Sequence, residues 1–209
     1  MIEQALALHQ PKLPAGTSEK EPNVAEINSI GLIELSSVAA GYLVQDTMLK
    51  ASSIQMLMAR TICSGKYLIV VSGDVTSVQA ALLAGAAVAG ASLIERRQIS
   101  RVHPTVLQAI AQTVDFDATK LRSIGIVETF SAASAVEVAD AAVKTADVTL
   151  LRVHLAMALG GKGFVLMAGD VSSVQAAVEA GAKAAGDDGM LVGKGVIPAP
   201  SRELFRDYI

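Results

Sequence analysis

GKYLIVVSGDVTSVQAALLAGAAVAG, residues 65–90, returns 96 residues later as GKGFVLMAGDVSSVQAAVEAGAKAAG, residues 161–186. Fifteen of the 26 positions are identical, with G-D-V and S-V-Q-A-A in register, more than an Ala-rich composition produces by chance. Upstream, IGLIELSSVAAGYLVQDTMLKAS from Ile30 aligns with IGIVETFSAASAVEVADAAVKTA from Ile124 at an offset of 94, setting Glu34 against Glu128, Asp46 against Asp140 and Lys50 against Lys144. Self-similarity at a fixed spacing is read before any local pattern, because it decides the architecture. The chain is an internal duplication.

The offset grows from 94 to 96 between the two blocks, where T-I-C-S-G-K (61–66) faces L-A-M-A-L-G-G-K (155–162). Loops absorb insertions that strands do not, so this connection is exposed and specialised in each copy. The modules read as 30–111 and 124–209, joined by a linker at 112–123 and preceded by a leader at 1–29. Pro11, Pro14 and Pro22, with Gly16 and a polar run, make that leader extended or mobile.

Within the first module, Ile30–Leu35 is a short apolar run that predicts a buried strand. Ser36 or Ser37 can cap a helix through Lys50. Ile54–Ile62 and Tyr67–Ser72 predict strands around a turn at Ser64-Gly65. Asp74 caps an Ala-rich helix to about Gly90, Leu93–Ile99 is a last strand, and Pro104 opens a short helix. The order β-α-β-β-α-β with a terminal helix is α+β and ferredoxin-like, twice over.

Composition narrows the function. With 52% hydrophobic and 18% charged residues, the chain is not of the disordered class. A net charge of −3, scattered basic residues and 3% aromatics argue against a nucleic-acid partner. Cys63 is the one cysteine, which excludes an intrachain disulfide and points to a reducing, cytosolic setting. A cysteine-built metal site then needs several copies of the chain. Val75–Ile94 is twenty residues without a charge, but it is Ala- and Gly-rich, and its repeat carries Glu179, Lys183, Asp187 and Asp188. Both copies read as helices packed on a sheet, with no membrane partner.

Tandem modules with E-x-x-S, D-x-x-x-K-(A/T), a G-K turn and G-D-V-x-S-V-Q-A-A resemble the bacterial microcompartment shell domain. The likeness covers roughly residues 28–204. It implies a homotrimer that looks like a hexamer, tiled with other shell proteins into a facet within the cytoplasm, around possible encapsulated redox enzymes. It also implies that the turn before each G-K pair lines a central pore: Ile62, Cys63, Ser64 and Gly65 in the first module, and Ala158, Leu159, Gly160 and Gly161 in the second. In tandem members of this kind the matching Cys binds an iron–sulfur cluster at the axis. The resemblance therefore makes Cys63 the metal ligand, three copies holding one 4Fe-4S cluster per trimer. Soft thiolates suit such a cluster, although a cubane normally takes four Cys, so one iron is left to another ligand. Two other readings stand beside this one: a metal-free pore that passes small polar metabolites, and a soluble ligand-binding or signalling trimer that never tiles.

Lys50 and Lys144 each close the first helix of a module, where any cation is favoured. The resemblance adds a contact with the next tile. The family's Arg between two prolines is missing: the second module reads Pro198-Ala199-Pro200 and the first Val102-His103-Pro104, with Arg202 or Arg101 as substitutes. His103 and His154 lack a partner at ligand spacing, and Glu34 and Glu128 read as structural hydrogen-bond acceptors. No nucleotide-binding glycine loop, nucleophile elbow or triad is present, so an enzyme is not expected.

Overall fold

A computed structural model of the chain describes residues 29–117, 122–156 and 159–205. The leader, except Ser29, lies outside them, as do Ala158 and part of the linker. In the first module β1 (Ser29–Leu35) is buried along its whole length, as its unbroken apolar run requires. It is followed by α1 (Val38–Ala51), β2 (Gln55–Ile62), β3 (Lys66–Gly73), α2 (Val75–Ala89), β4 (Leu93–Ser100) and α3 (Pro104–Ala111). The second module repeats the order as β5 (Ser123–Thr129), α4 (Ala132–Thr145), β6 (Thr149–Leu155), β7 (Gly163–Gly169), α5 (Val171–Gly186) and β8 (Leu191–Pro198). Each builds a four-stranded antiparallel sheet, β2-β3-β1-β4 and β6-β7-β5-β8, which is the expected ferredoxin-like topology.

Capping side chains start the helices where the sequence places them. Ser37 accepts from the Ala40 N–H, and Asp74 from the Ser77 N–H at 2.8 Å. The long apolar segment Val75–Ser92 has the length and composition of a membrane span. Here its helix lies on β1, so close that a Cβ on Gly31 would stand 2.8 Å from Val78 and 3.1 Å from Leu82. Gly125 meets Val178 and Val174 in the same way, so the repeated I-G pair is what seats each Ala-rich helix. After β8 the described residues of the second module carry a 3-10 turn, Arg202–Phe205, at the place where the first module has α3. Its counterpart α3 starts with Pro104 as its first residue, behind a His103 cap, whereas Ala199 between two prolines adopts a left-handed φ of 45°.

The core has two parts. Ile33, Leu35, Val44, Met48, Ile69 and Val78 pack between the first sheet and its helices. Ile30, Leu32, Leu68 and Val70, on the opposite face, run on into α3 and most of the interior of the second module. Each fully buried Val, Leu or Ile contributes roughly 1.5–3 kcal/mol, so this shared cluster ties the two modules together.

A polar seam fixes their relative position. Helix α4 lies on β4 and β1. Glu95 on β4 accepts from Ser131 and, at 2.8 Å, from Ser134. Arg97 reaches Glu95 at 2.7 Å, Asp188 at 2.6 Å and Glu137 at 3.3 Å. Glu34 accepts from the Ala132 N–H at 2.9 Å, and Asp140 from the His103 N–H at 2.8 Å. Burial pulls the Arg97 pKa down, but its bonds to Glu95 and Asp188 outweigh that and leave it raised. Burial raises the Glu137 carboxyl, Arg97 opposes, and the nearby Asp188, Glu95 and Asp140 carboxylates add to the rise; its Oε2 makes no hydrogen bond.

Candidate functional site at the paired turns

Strand β2 passes into β3 through a 3-10 turn, Cys63–Gly65. Ser64 (φ 66°) and Gly65 (φ 70°) are both left-handed, which swings the turn out of the sheet. Ser64 and Gly65 are exposed and Cys63 is half-buried. Cys63 is therefore not an inert core thiol. Ile62 is different: its side chain is 5% exposed and belongs to the core, so it brings only backbone to the turn.

The second turn carries Leu159, half-buried, Gly160, exposed, and Gly161, buried. It closes with a 3.2 Å bond from the Lys162 N–H to the Leu159 carbonyl. Ala158 lies outside the described residues. The two turns meet, since the Cys63 N–H donates to the Ala156 carbonyl at 3.3 Å. The Lys66 chain crosses Gly161 so tightly that a Cβ there would lie 2.9 Å from Nζ and 3.1 Å from Cε. No atom approaches the corresponding position on Gly65 within 4 Å.

Under each turn stands one carboxylate. Glu34, fully buried, accepts from Lys66 at 2.8 Å as well as from Ala132. Glu128 pairs with Lys162 in the same way, but its side chain is 33% exposed. The expected structural role of both Glu residues is what the geometry displays. Their lysine partners were missed by sequence reasoning, though a Glu and a Lys retained together in both copies was a usable signal. Glu95 and Arg97 left a subtler one, since the second module has Gly193 and Gly195 at the matching ladder positions.

Among the described residues no three His, Cys, Asp or Glu side chains converge as a metal site. One chain offers a single accessible thiol, so a cluster fits only if several chains bring Cys63 together. His103 caps α3, its Nδ1 2.8 Å from the Thr105 hydroxyl, and His154 stacks on Phe164 at 5.0 Å. Lys50 pairs with Asp46 at 2.6 Å on the exposed side of α1. Lys144 pairs with Asp140 and reaches the Ser100 carbonyl at 3.4 Å, along the seam. Arg101 is exposed, with φ 50°.

Comparison with known proteins agrees with this architecture. The BMC domain family matches residues 29–102 and again 123–200. The bacterial microcompartment shell protein PduT of Citrobacter freundii is 41% identical over 87% of this chain and 97% of its own length. The bacterial microcompartment shell protein PduA of the same organism is 40% identical over 39% of this chain and 86% of its own. A crystal structure of a microcompartment protein from Desulfitobacterium hafniense is 42% identical, with a TM-score of 0.77, covering 86% of this chain and 99% of the other. With two matched copies of the domain and full-length relatives at this identity, the chain belongs to the BMC-domain family, as a tandem shell protein of bacterial microcompartments.

Proposed function

We propose that the chain forms a homotrimeric facet tile whose central pore is lined by the Cys63–Gly65 and 158–161 turns, with three Cys63 thiolates holding one iron–sulfur cluster. The observation that carries this reading is the pairing of the turns. Cys63 is hydrogen-bonded to Ala156 of the sibling turn, and its neighbours Ser64 and Gly65 are open. Six such turns around an axis alternate cysteine-bearing and glycine-rich, so the three thiols stand at every second position. The small Ser64 and the glycines leave room for a bulky inorganic group.

A bound 4Fe-4S cluster supplies one-electron transfer, here between carriers on the two sides of the shell, among them encapsulated redox enzymes. The protein's own part is to present thiolates on turns that the Glu34–Lys66 pair anchors, and to leave one iron open. Lys50 and Lys144 serve the contact with neighbouring shell proteins, Lys50 as the more exposed of the two. The metal-free metabolite pore remains the second reading, favoured by the same small residues.

Anaerobic purification separates the two. A brown protein with about one cluster's iron per three chains, colourless after Cys63→Ser with unchanged mass, supports the cluster. A wild-type trimer that stays colourless and iron-free after reconstitution leaves only the metabolite pore.

A further inference from the structure

Because the chain is a duplication, the seam between its modules is a template for the seam between chains. Helix α1 matches α4 at an offset of 94, and β8 matches β4 through the ladder, Glu34↔Glu95 answering to Glu128↔Gly193. Helix α4 buries nine residues against its surroundings, and α1 three. Val136 is fully buried, while its counterpart Tyr42 is 64% exposed. On the receiving side Leu32 and Ile99 are buried, while their counterparts Ile126 and Ile197 are exposed. Each of these bare residues matches one that the sibling module covers. The missing cover is a second copy of this chain.

The chemistry of the bare halves differs from that of the covered ones. Where α4 carries Ser134 and Glu137, α1 carries Ala40 and Leu43; where β4 carries Glu95 and Arg97, β8 carries Gly193 and Gly195. We propose that the chain–chain seam is an apolar counterpart of the polar internal seam, with Leu43 of one chain seated over Gly195 of the next, and that this mismatch lets β8 accept only α1. Helix α1 laid on β4 keeps a hydroxyl at Ser37 in place of Ser131 and leaves the Arg97–Glu95 pair intact, but it puts Leu43 and Ala40 where Arg97 has Glu137 and Glu95 has Ser134. Helix α4 laid on β8 would press Glu137 against Gly195 with no cation. Buried charges left unpaired are strongly disfavoured, so polar and apolar seams must alternate around the ring. A head-to-tail contact that repeats the internal rotation forms a ring where that rotation closes. The inference rests on the trimer proposed above and names the residues that enforce it.

Light scattering on the wild type, Leu43→Glu, Gly195→Arg and the double variant tests it. Leu43 is 64% exposed in the single chain, and a Cβ on Gly195 meets only Ile126 at an ordinary 3.5 Å. Both substitutions therefore keep the fold, which circular dichroism checks. The wild type is expected at three times the 21.5 kDa chain mass. Either single variant weakens association by about a hundredfold or more. The double variant recreates the Arg97–Glu137 pair between chains and regains the trimer, now losing it as salt rises. A wild type that is not trimeric overturns the trimer reading itself. A trimeric wild type with an equally trimeric Leu43→Glu overturns the apolar seam, and loss without rescue by Gly195→Arg overturns the pairing of 43 with 195.

Discussion

Helices α1 and α4 occupy equivalent places in two copies of one fold, yet the first shows Tyr42 and Leu43 to solvent and the second is sealed along most of its length. The difference lies in neighbours and not in folding. Helix α4 has a sheet from the sibling module across it, and α1 has none within the chain. The same asymmetry runs through the paired turns, where Gly161 is roofed by Lys66 while the space beside Gly65 is empty. On the proposed seam, a duplicated chain contains one finished example of a contact and both halves of an unfinished one.

The sharpest way to test that comparison is to remove the two anchoring carboxylates in turn. Glu34→Ala leaves Lys66 and the Ala132 N–H unpaired beneath a sealed seam, and breaking a buried pair of this kind costs about 3 kcal/mol or more. Glu128→Ala breaks a pair whose side chains are 33% and 39% exposed, worth about 1 kcal/mol or less. Urea unfolding in a Leu43→Glu background, at concentrations where light scattering finds a monomer, measures both. In the proposed trimer, without that background, the next chain covers Glu128 and the gap is expected to narrow. Equal costs in the monomer would mean that the two seams are not finished and unfinished versions of one contact.

How much of this was legible beforehand follows from which forces are local. The strand, cap and helix positions follow from periods, Asp74, Ser37 and the I-G pairs, all set by residues close in sequence or kept in both copies. After β8 the copies part again, because Pro198, Ala199 and Pro200 give the chain a backbone chemistry that His103-Pro104 before α3 does not share. The Cys63 turn was locatable from the change of offset, but its bond to Ala156 depends on how two modules dock. The Glu95–Arg97 cluster was hidden for the same reason, since its partners Ser131, Ser134, Glu137 and Asp188 lie in the other module. Repeats disclose what two copies share; a seam is built from what they do not.

Glu137 gives a smaller, pH-dependent view of the covered helix. Burial raises its carboxyl above the ordinary 4.5, against the pull of Arg97. The folded chain therefore holds this proton more tightly than the unfolded one. The stability that protonation supplies is full below the ordinary carboxylate pKa and is lost as pH climbs through the raised value. Glu137→Gln removes that loss, so its stability relative to wild type should improve from acid toward neutral pH. Urea midpoints at several pH values check the slope. A difference that stays constant from acid to neutrality would mean that α4 is less tightly covered than its buried residues indicate.

The smallest effect separates two helix starts that the sequence makes alike. Asp74 accepts from the Ser77 N–H at 2.8 Å, with Thr76 and Ser77 hydroxyls at 2.6 Å, and these bonds hold its carboxyl far below the usual range. Asp170 precedes the matching helix without a side-chain cap bond. A depressed carboxylate contributes stability above its ordinary pKa and loses it as pH falls through the depressed value. Asp74→Ala should therefore lower the melting temperature by a few degrees at neutral pH and by less in strong acid, while Asp170→Ala changes it little at either. Both helices are packed on β1 or β5 through a glycine, so the contrast isolates the cap from the packing. Identical shifts for the two variants would show that the G-D-V motif is kept for the backbone of the turn and not for the carboxylate.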